Sequence, residues 1–219
     1  MDPREDEKRA AAEEAARLVE DGSTVGLGSG TTVAHFLAAL ARRDLRLTCV
    51  ATSGSTEEAA RALGLPVQPF DLLDRLDIAV DGADQVAPDL WLVKGGGAAH
   101  TREKVVAAAA DRFLVIVSSN KLVDRIAPPV PLEVLRFGLA ATLRRLSELG
   151  PAEVREGAAP TPEGNVIVDF LGPVADPSEL AEALAAVPGV VEHGLFPPAL
   201  VSEVLVGRNG SVERLARPR

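Results

Sequence analysis

Tyrosine is absent from this chain, tryptophan and cysteine occur once each, and aromatic residues make up only 3% of its 219 positions. A single cysteine, Cys49, excludes an intrachain disulfide and the stapled class of secreted folds, so a cytoplasmic location is expected. Its setting in the apolar run LTCVAT marks a buried core thiol rather than a nucleophile. The three histidines, His35, His100 and His193, show no metal-ligand spacing, so no metal is expected of them, and no cofactor is expected of the chain. Positive charge is scarce too. Lys and Arg number 23 against 32 Asp and Glu, a formal net charge of -9. That balance argues against a nucleic-acid partner, whose phosphates call for a basic face. No apolar run approaches the roughly 20 residues of a membrane helix, so no membrane partner is expected. The start MDPREDEKRAAAEEAARLVED is charged and helical, so no signal peptide is expected there.

Lysine is the rarest of the common charges. The chain holds Lys8, Lys94, Lys104 and Lys121 and otherwise writes its positive charge as Arg. Three of these fall in or just after the stretch DGADQVAPDLWLVKGGGAAHTREK, Asp81 to Lys104. A compact ammonium can meet one developing charge where a guanidinium presents a planar fork. The same stretch sets two carboxylates three apart and a lysine before three glycines. Clustered charge is costly to desolvate and glycine weakens regular structure, so folding alone does not call for this composition.

Helical and strand-like segments alternate through the first part. Residues 4–20 are helical; STVGLG, LRLTCVAT, DIAVDGAD, LWLVKG and RFLVIVSS read as strands, with helices TTVAHFLAALARR, STEEAARALG and TREKVVAAAADR between them. Strands apolar on both faces and separated by helices predict an α/β fold: a mostly parallel, Rossmann-like sheet with helices on both faces. Pro128, Pro129 and Pro131 mark a boundary. Beyond it the order strand, helix, strand, strand, helix, strand predicts a small α+β domain. Asp176, Pro177 and Glu179 sign the start of its second helix. The expected division is 1–128 with 203–219 as the α/β domain and 129–202 as the smaller one, with SEVLVGR rejoining the first sheet.

Between the first strand and the second helix lies VGLGSGTTVAHF. Free N–H groups at a helix start, beside hydroxyls, can cradle a phosphate. The dinucleotide fingerprint fails, because Thr31 stands at its third glycine and no acidic residue ends the next strand; the P-loop fails for want of Gly-Lys-Ser/Thr. A phosphate monoester site survives. The polar loop TSGST, residues 52–56, opens on the same sheet edge. Asp81 ends one strand, with Asp84 beyond Gly82 and Ala83; each carboxylate alone would read as a turn or cap. Lys94 ends another strand before Gly95, Gly96 and Gly97. Glu103 sits in the first turn of a helix, and Lys121 follows the next strand. Jointly, carboxylate bases, a lysine and a phosphate loop suit proton abstraction alpha to the carbonyl of a sugar phosphate.

The segments GLGSGTTVAHF, DGADQ, KGGGAAHTREK and SNKLV resemble the A type of ribose-5-phosphate isomerase. The likeness is strongest over residues 22–135. It implies interconversion of ribose 5-phosphate and ribulose 5-phosphate in the pentose phosphate pathway without a metal. It also implies a homodimer or homotetramer and a ferredoxin-like second domain. Carried over, Glu103 is the base between C2 and C1, Asp81 assists ring opening and oxygen proton transfers, and Lys94 stabilises the oxyanion with Asp84 in the catalytic set. Ser29, Gly30, Thr31, Thr32, Gly82, Ala83, Gly95, Gly96, Gly97 and Lys121 bind substrate. Gln85 stands where the family commonly has Glu, and Thr31 where Ser is usual. His100 takes a local or substrate-contact role, and His35 and His193 structural ones. A glucosamine-phosphate deaminase-like enzyme would need a histidine beside the acidic loop. A coenzyme A transferase-like one would not account for GSGTT with DGAD and KGGG. A sugar-phosphate sensor would bring a basic DNA-binding module.

Overall fold

A computed structural model of the chain describes residues 3–216. Residues 1–2 and 217–219, the outer ends of the expected α/β domain, lie outside the described residues. In chain order the elements are α1 (Pro3–Arg17), β1 (Thr24–Leu27), α2 (Thr31–Ala41), β2 (Thr48–Ala51), α3 (Gly54–Ala62), β3 (Leu76–Asp81), β4 (Gln85–Val86), β5 (Leu92–Val93), α4 (His100–Ala109) and β6 (Ala110–Ser118). Then come β7 (Val130–Val134), α5 (Leu139–Leu149), β8 (Ala152–Val154), β9 (Val166–Phe170), α6 (Pro177–Ala185), β10 (Val190–His193), β11 (Leu195–Phe196), β12 (Glu203–Arg208) and β13 (Ser211–Leu215).

Packing separates two compact units. The first takes the chain up to Ala83, Arg102–Leu122 and the chain from Pro198; the second takes Asp84–Thr101 and Val123–Pro197. The expected cuts at 128/129 and 202/203 fall inside continuous pieces of these units. Residues 84–101 pack with the second unit because β5 pairs antiparallel with β4 and with β11, about a hundred residues downstream. Composition carries no trace of that pairing.

The first unit is built on a sheet of order β13-β12-β6-β3-β1-β2. From β12 to β2 the strands are parallel, and β13, which the sequence reading did not anticipate, adds antiparallel to β12. In β6 the run Phe113–Val117 is buried throughout, as expected of a strand covered on both faces. Four alanines of α1, Ala11, Ala12, Ala15 and Ala16, are buried with Phe36, Leu37 and Leu40 of α2 and with Val25, Leu27, Val80, Leu114 and Ile116 of the sheet. Side chains with no branching let α1 approach closely, while each large side chain buried here contributes roughly 1.5–3 kcal/mol. Parallel strands end together, so the loops after β1, β2, β3 and β6 open on one edge.

The second unit holds a four-stranded antiparallel sheet of order β10-β7-β9-β8 and the small sheet β11-β5-β4. Its elements follow the expected order β7, α5, β8, β9, α6, β10. LWLVKG, expected to continue the alternation of the parallel sheet, instead gives the two-residue β5 of the small sheet. Pro88 before it and the glycines after it leave no room for a longer strand. Leu146 of α5 and Leu184 of α6 are buried with Leu132, Val134, Val168 and Phe170. The N-cap reading of α6 holds: Asp176 accepts from the N–H groups of Ser178 at 2.7 Å and Glu179 at 3.2 Å. That cap is worth about 1 kcal/mol.

Candidate active site

In the first unit the site begins where β1 ends. Gly28 N–H donates to Val80 O at 2.9 Å, which carries the β1–β3 ladder one residue past the strand. The chain then turns through Gly30, at φ 90° and ψ -178°, into α2. No side chain caps this helix and its first turn holds no acidic residue, so its leading amides suit an anion. Gly30 and Thr31 are exposed, and Ser29 and Thr32 half-buried.

Asp81, the last residue of β3, lies under this loop and is 3% exposed. Its Oδ1 accepts from Ser29 N–H at 3.0 Å and Gly82 N–H at 2.7 Å. Only a residue without a Cβ fits at Gly28, because that atom would fall 2.0 Å from Asp81 Cγ. Glu103, in the first turn of α4, is 5% exposed, and Ser29 Oγ donates to its Oε1 at 2.6 Å. One serine therefore touches both carboxylates, one through its amide and one through its hydroxyl. The loop after β2 braces this arrangement: Ser53 caps α3, accepting from Thr56 N–H at 3.1 Å, and Thr56 Oγ1 donates to Gly28 O at 2.8 Å. Lys121 closes a 3-10 turn after β6 on the same edge and makes no ion pair among the described residues. Glu7 of α1 holds that turn by accepting from Ser119 N–H at 2.9 Å and Ser119 Oγ at 2.8 Å. Burial raises the Glu7 carboxyl, but the bonds from Ser119, joined by an amide of Asn209 and the charge of Arg208, outweigh it and leave its pKa below the ordinary value.

In the second unit, Lys94 follows β5, is 3% exposed, and sets its ammonium 5.5 Å from the centre of the Phe196 ring. Gly95, Gly96 and Gly97 follow. Asp84 Oδ2 accepts from Gly96 N–H at 2.8 Å, so this carboxylate braces the glycine loop. Arg155 reaches the same loop, donating to Gly95 O at 2.9 Å and Gly96 O at 3.2 Å while paired with Asp169. His100 is fully buried and packs beside Gly95. Glu133, buried on β7, accepts from Thr101 Oγ1, from Thr161 Oγ1 at 2.8 Å and from Asn165 Nδ2 at 2.7 Å.

Several expectations resolve here. Ser29, Asp81 and Glu103 come together in the first unit, and Asp84, Lys94 and the glycines in the second. Cys49 is a core thiol, pushed up by burial to about 11. His35 bonds Glu5 of α1 at 3.0 Å. Gln85 exchanges two hydrogen bonds with the backbone of Ala127. Arg155, Asp169, Glu133 and Asn165 went unnoticed in the sequence, since their partners lie 14 to 60 residues away and no local pattern marks them.

Buried carboxylates under an uncapped helix start, and a buried lysine before a braced glycine loop, define an α/β protein suited to acid–base chemistry on a small anionic ligand. The family model of ribose 5-phosphate isomerase A (phosphoriboisomerase A) matches residues 48–211. A model of the DeoR C-terminal sensor domain matches residues 4–62. The chain is 45% identical to a ribose-5-phosphate isomerase A of Roseiflexus sp. (strain RS-1), over 94% of each chain. The ribose 5-phosphate isomerase A structure of Methanocaldococcus jannaschii superposes with a TM-score of 0.91 at 37% identity, covering 96% of this chain and 98% of that one. A D-ribose-5-phosphate isomerase structure in complex with phospho-erythronic acid gives a TM-score of 0.91 at 37% identity, covering 96% and 97%. The chain belongs to the ribose 5-phosphate isomerase A family.

Proposed function

We infer that the protein interconverts D-ribose 5-phosphate and D-ribulose 5-phosphate in the pentose phosphate pathway. Membership of the family, at 45% identity over 94% of the chain, supports the reaction. The observation that carries the chemistry is the Ser29 bridge between Asp81 and Glu103.

Glu103 acts as the base. Once the sugar ring is open, its carboxylate takes the proton from C2, and the C1 aldehyde becomes an enediolate. The same group returns that proton to C1, while the proton on O2 moves to O1 and leaves a ketone at C2. Asp81 serves ring opening and the oxygen proton transfers. Lys94, with amides of the glycine loop, meets the negative charge on oxygen, where one well-placed donor is typically worth roughly 3–4 kcal/mol. Asp84, with Oδ2 taken by Gly96, offers Oδ1 to a sugar hydroxyl. Ser29, Gly30, Thr31 and Thr32 bind the phosphate with Lys121, and Gly82, Ala83, Gly95, Gly96 and Gly97 line the sugar. The reaction proceeds without a metal. The enzyme works as a cytoplasmic homodimer or homotetramer, with Val123–Pro197 forming the body of a ferredoxin-like domain.

The test is turnover of ribose 5-phosphate by chelator-treated protein beside Glu103→Gln. Turnover that falls at least about 10²-fold in the variant is expected of a lost general base. Activity that survives the substitution would remove Glu103 from that role. A folded wild type that binds the sugar phosphate without converting it would instead be a sensor.

A further inference from the structure

We propose that Arg155, in the second unit, is a positioning residue that aims the Gly97 N–H at the developing oxyanion. This rests on the isomerase reading above. The guanidinium is fixed at one end by a fork on Asp169, Nε to Oδ2 at 2.8 Å and Nη2 to Oδ1 at 2.5 Å. At the other end Nη1 donates to Gly95 O at 2.9 Å and Gly96 O at 3.2 Å. The Asp169 hydrogen bond, ahead of the attraction of Asp169 and Asp84, raises the pKa of Arg155 and keeps it charged.

Peptide geometry turns these contacts into direction. In a planar trans peptide the N–H points opposite to the carbonyl of the preceding residue. Holding Gly95 O therefore orients Gly96 N–H the other way, and that amide donates to Asp84 at 2.8 Å. Holding Gly96 O likewise turns Gly97 N–H away from Arg155. Gly97 is exposed, and among the described residues its N–H meets no acceptor. Three glycines in sequence have no intrinsic preference that would hold such an orientation, and Gly95 is at φ 106°. A turn bond from Ala98 N–H to Gly95 O at 3.1 Å closes the loop, and Arg155 and Asp84 fix its aim from outside. A carbonyl bonded to a guanidinium also makes the amide on its far side a stronger donor, because polarised hydrogen bonds reinforce one another. Asp84 consumes one of the loop amides, and Arg155 readies the next. An ammonium at position 155 keeps the charge but cannot span Asp169 and two carbonyls in this fork.

Arg155→Lys, Arg155→Ala and Asp169→Asn test the proposal, with thermal melting to establish that each is folded. Turnover of ribose 5-phosphate by the folded Arg155 variants is expected to lose about 10- to 100-fold in kcat, with KM within about threefold, since the donor serves charge that appears only after binding. Phospho-erythronic acid carries a carboxylate in place of the enediolate oxygens. Its calorimetric Kd is expected to rise in step with the fall in kcat/KM, while the Kd of inorganic phosphate stays put. Guanidinium ion at millimolar levels is expected to restore part of the Arg155→Ala loss. Unchanged kcat in folded variants, or Kd values for phospho-erythronic acid and phosphate that rise together, would overturn the proposal. If Arg155→Ala does not fold, Arg155→Lys and Asp169→Asn decide it. Wild-type protein without turnover would overturn the isomerase reading, and the two calorimetric titrations would still decide whether Arg155 governs the binding of the anionic head.

Discussion

Replacing Gly28 by alanine would place a methyl carbon 2.0 Å from Asp81 Cγ, 2.1 Å from its Oδ1 and 2.5 Å from its Cβ. Oδ1 is the tip of a short side chain held by two hydrogen bonds, so it does not yield cheaply. Asp81 ends a buried strand paired with β6, so its Cβ cannot retreat without the backbone. The carboxylate must swing away from Ser29 and Gly82, giving up contacts of 3.0 and 2.7 Å. Hydrogen bonds to charged groups contribute about 1.5–3 kcal/mol each, and overpacking costs a further 1–3 kcal/mol or so. Partial relaxation of the loop leaves an expected loss of about 4 kcal/mol. At roughly 2–4 °C per kcal/mol for a chain of this size, the melting midpoint falls by about 8–16 °C. Displacing the carboxylate by about 1 Å should also reduce kcat/KM by about 10²-fold. Urea unfolding and ribose 5-phosphate turnover read the two effects. The cause is read by repeating Gly28→Ala in an Asp81→Gly background, where its stability cost should shrink to about 1 kcal/mol or less. A variant within about 0.5 kcal/mol of wild type, or the same cost in both backgrounds, would refute the reasoning.

The Cys49 thiol, pushed up to about 11, is almost wholly protonated at pH 8; an aromatic disulfide reagent should leave it untouched in native protein and titrate one thiol in urea. Glu7 has its folded pKa below the ordinary 4.5, so its stabilisation is full above that value and is lost as pH falls through the folded one. Glu7→Gln should therefore lower the urea midpoint at pH 7, with the gap closing on acidification below about pH 4.5; a constant gap would deny the linkage. Glu133→Ala strands the buried donors of Thr161 and Asn165 and the half-buried one of Thr101 and should cost about 3–5 kcal/mol, with Glu133→Gln costing less because it keeps an acceptor. Equal unfolding midpoints for those two variants would contradict that.

Much of this protein follows from local pattern. The apolar run around Phe113–Val117 is a covered parallel strand because only helices on both faces make such a sequence stable. Asp176-Pro177 starts a helix because cap and fixed φ act within one turn. The loop residues Ser29 and Asp81 meet because a parallel sheet delivers the ends of β1 and β3 to one edge, and α4, the helix that leads into β6 of that sheet, starts at the same edge with Glu103 in its first turn. Tertiary structure alone decided the rest. The strands β4 and β5 joined the second unit through a partner at β11, and β13 added to the sheet edge, pairings that no local run of sequence specifies. Arg155 and Glu133 took up the glycine loop and Thr101 through contacts that chain spacing does not encode. A residue's periodicity records which face it presents, and that is local. Which carbonyl a guanidinium reaches depends on how distant segments pack, and no short stretch of sequence holds that information.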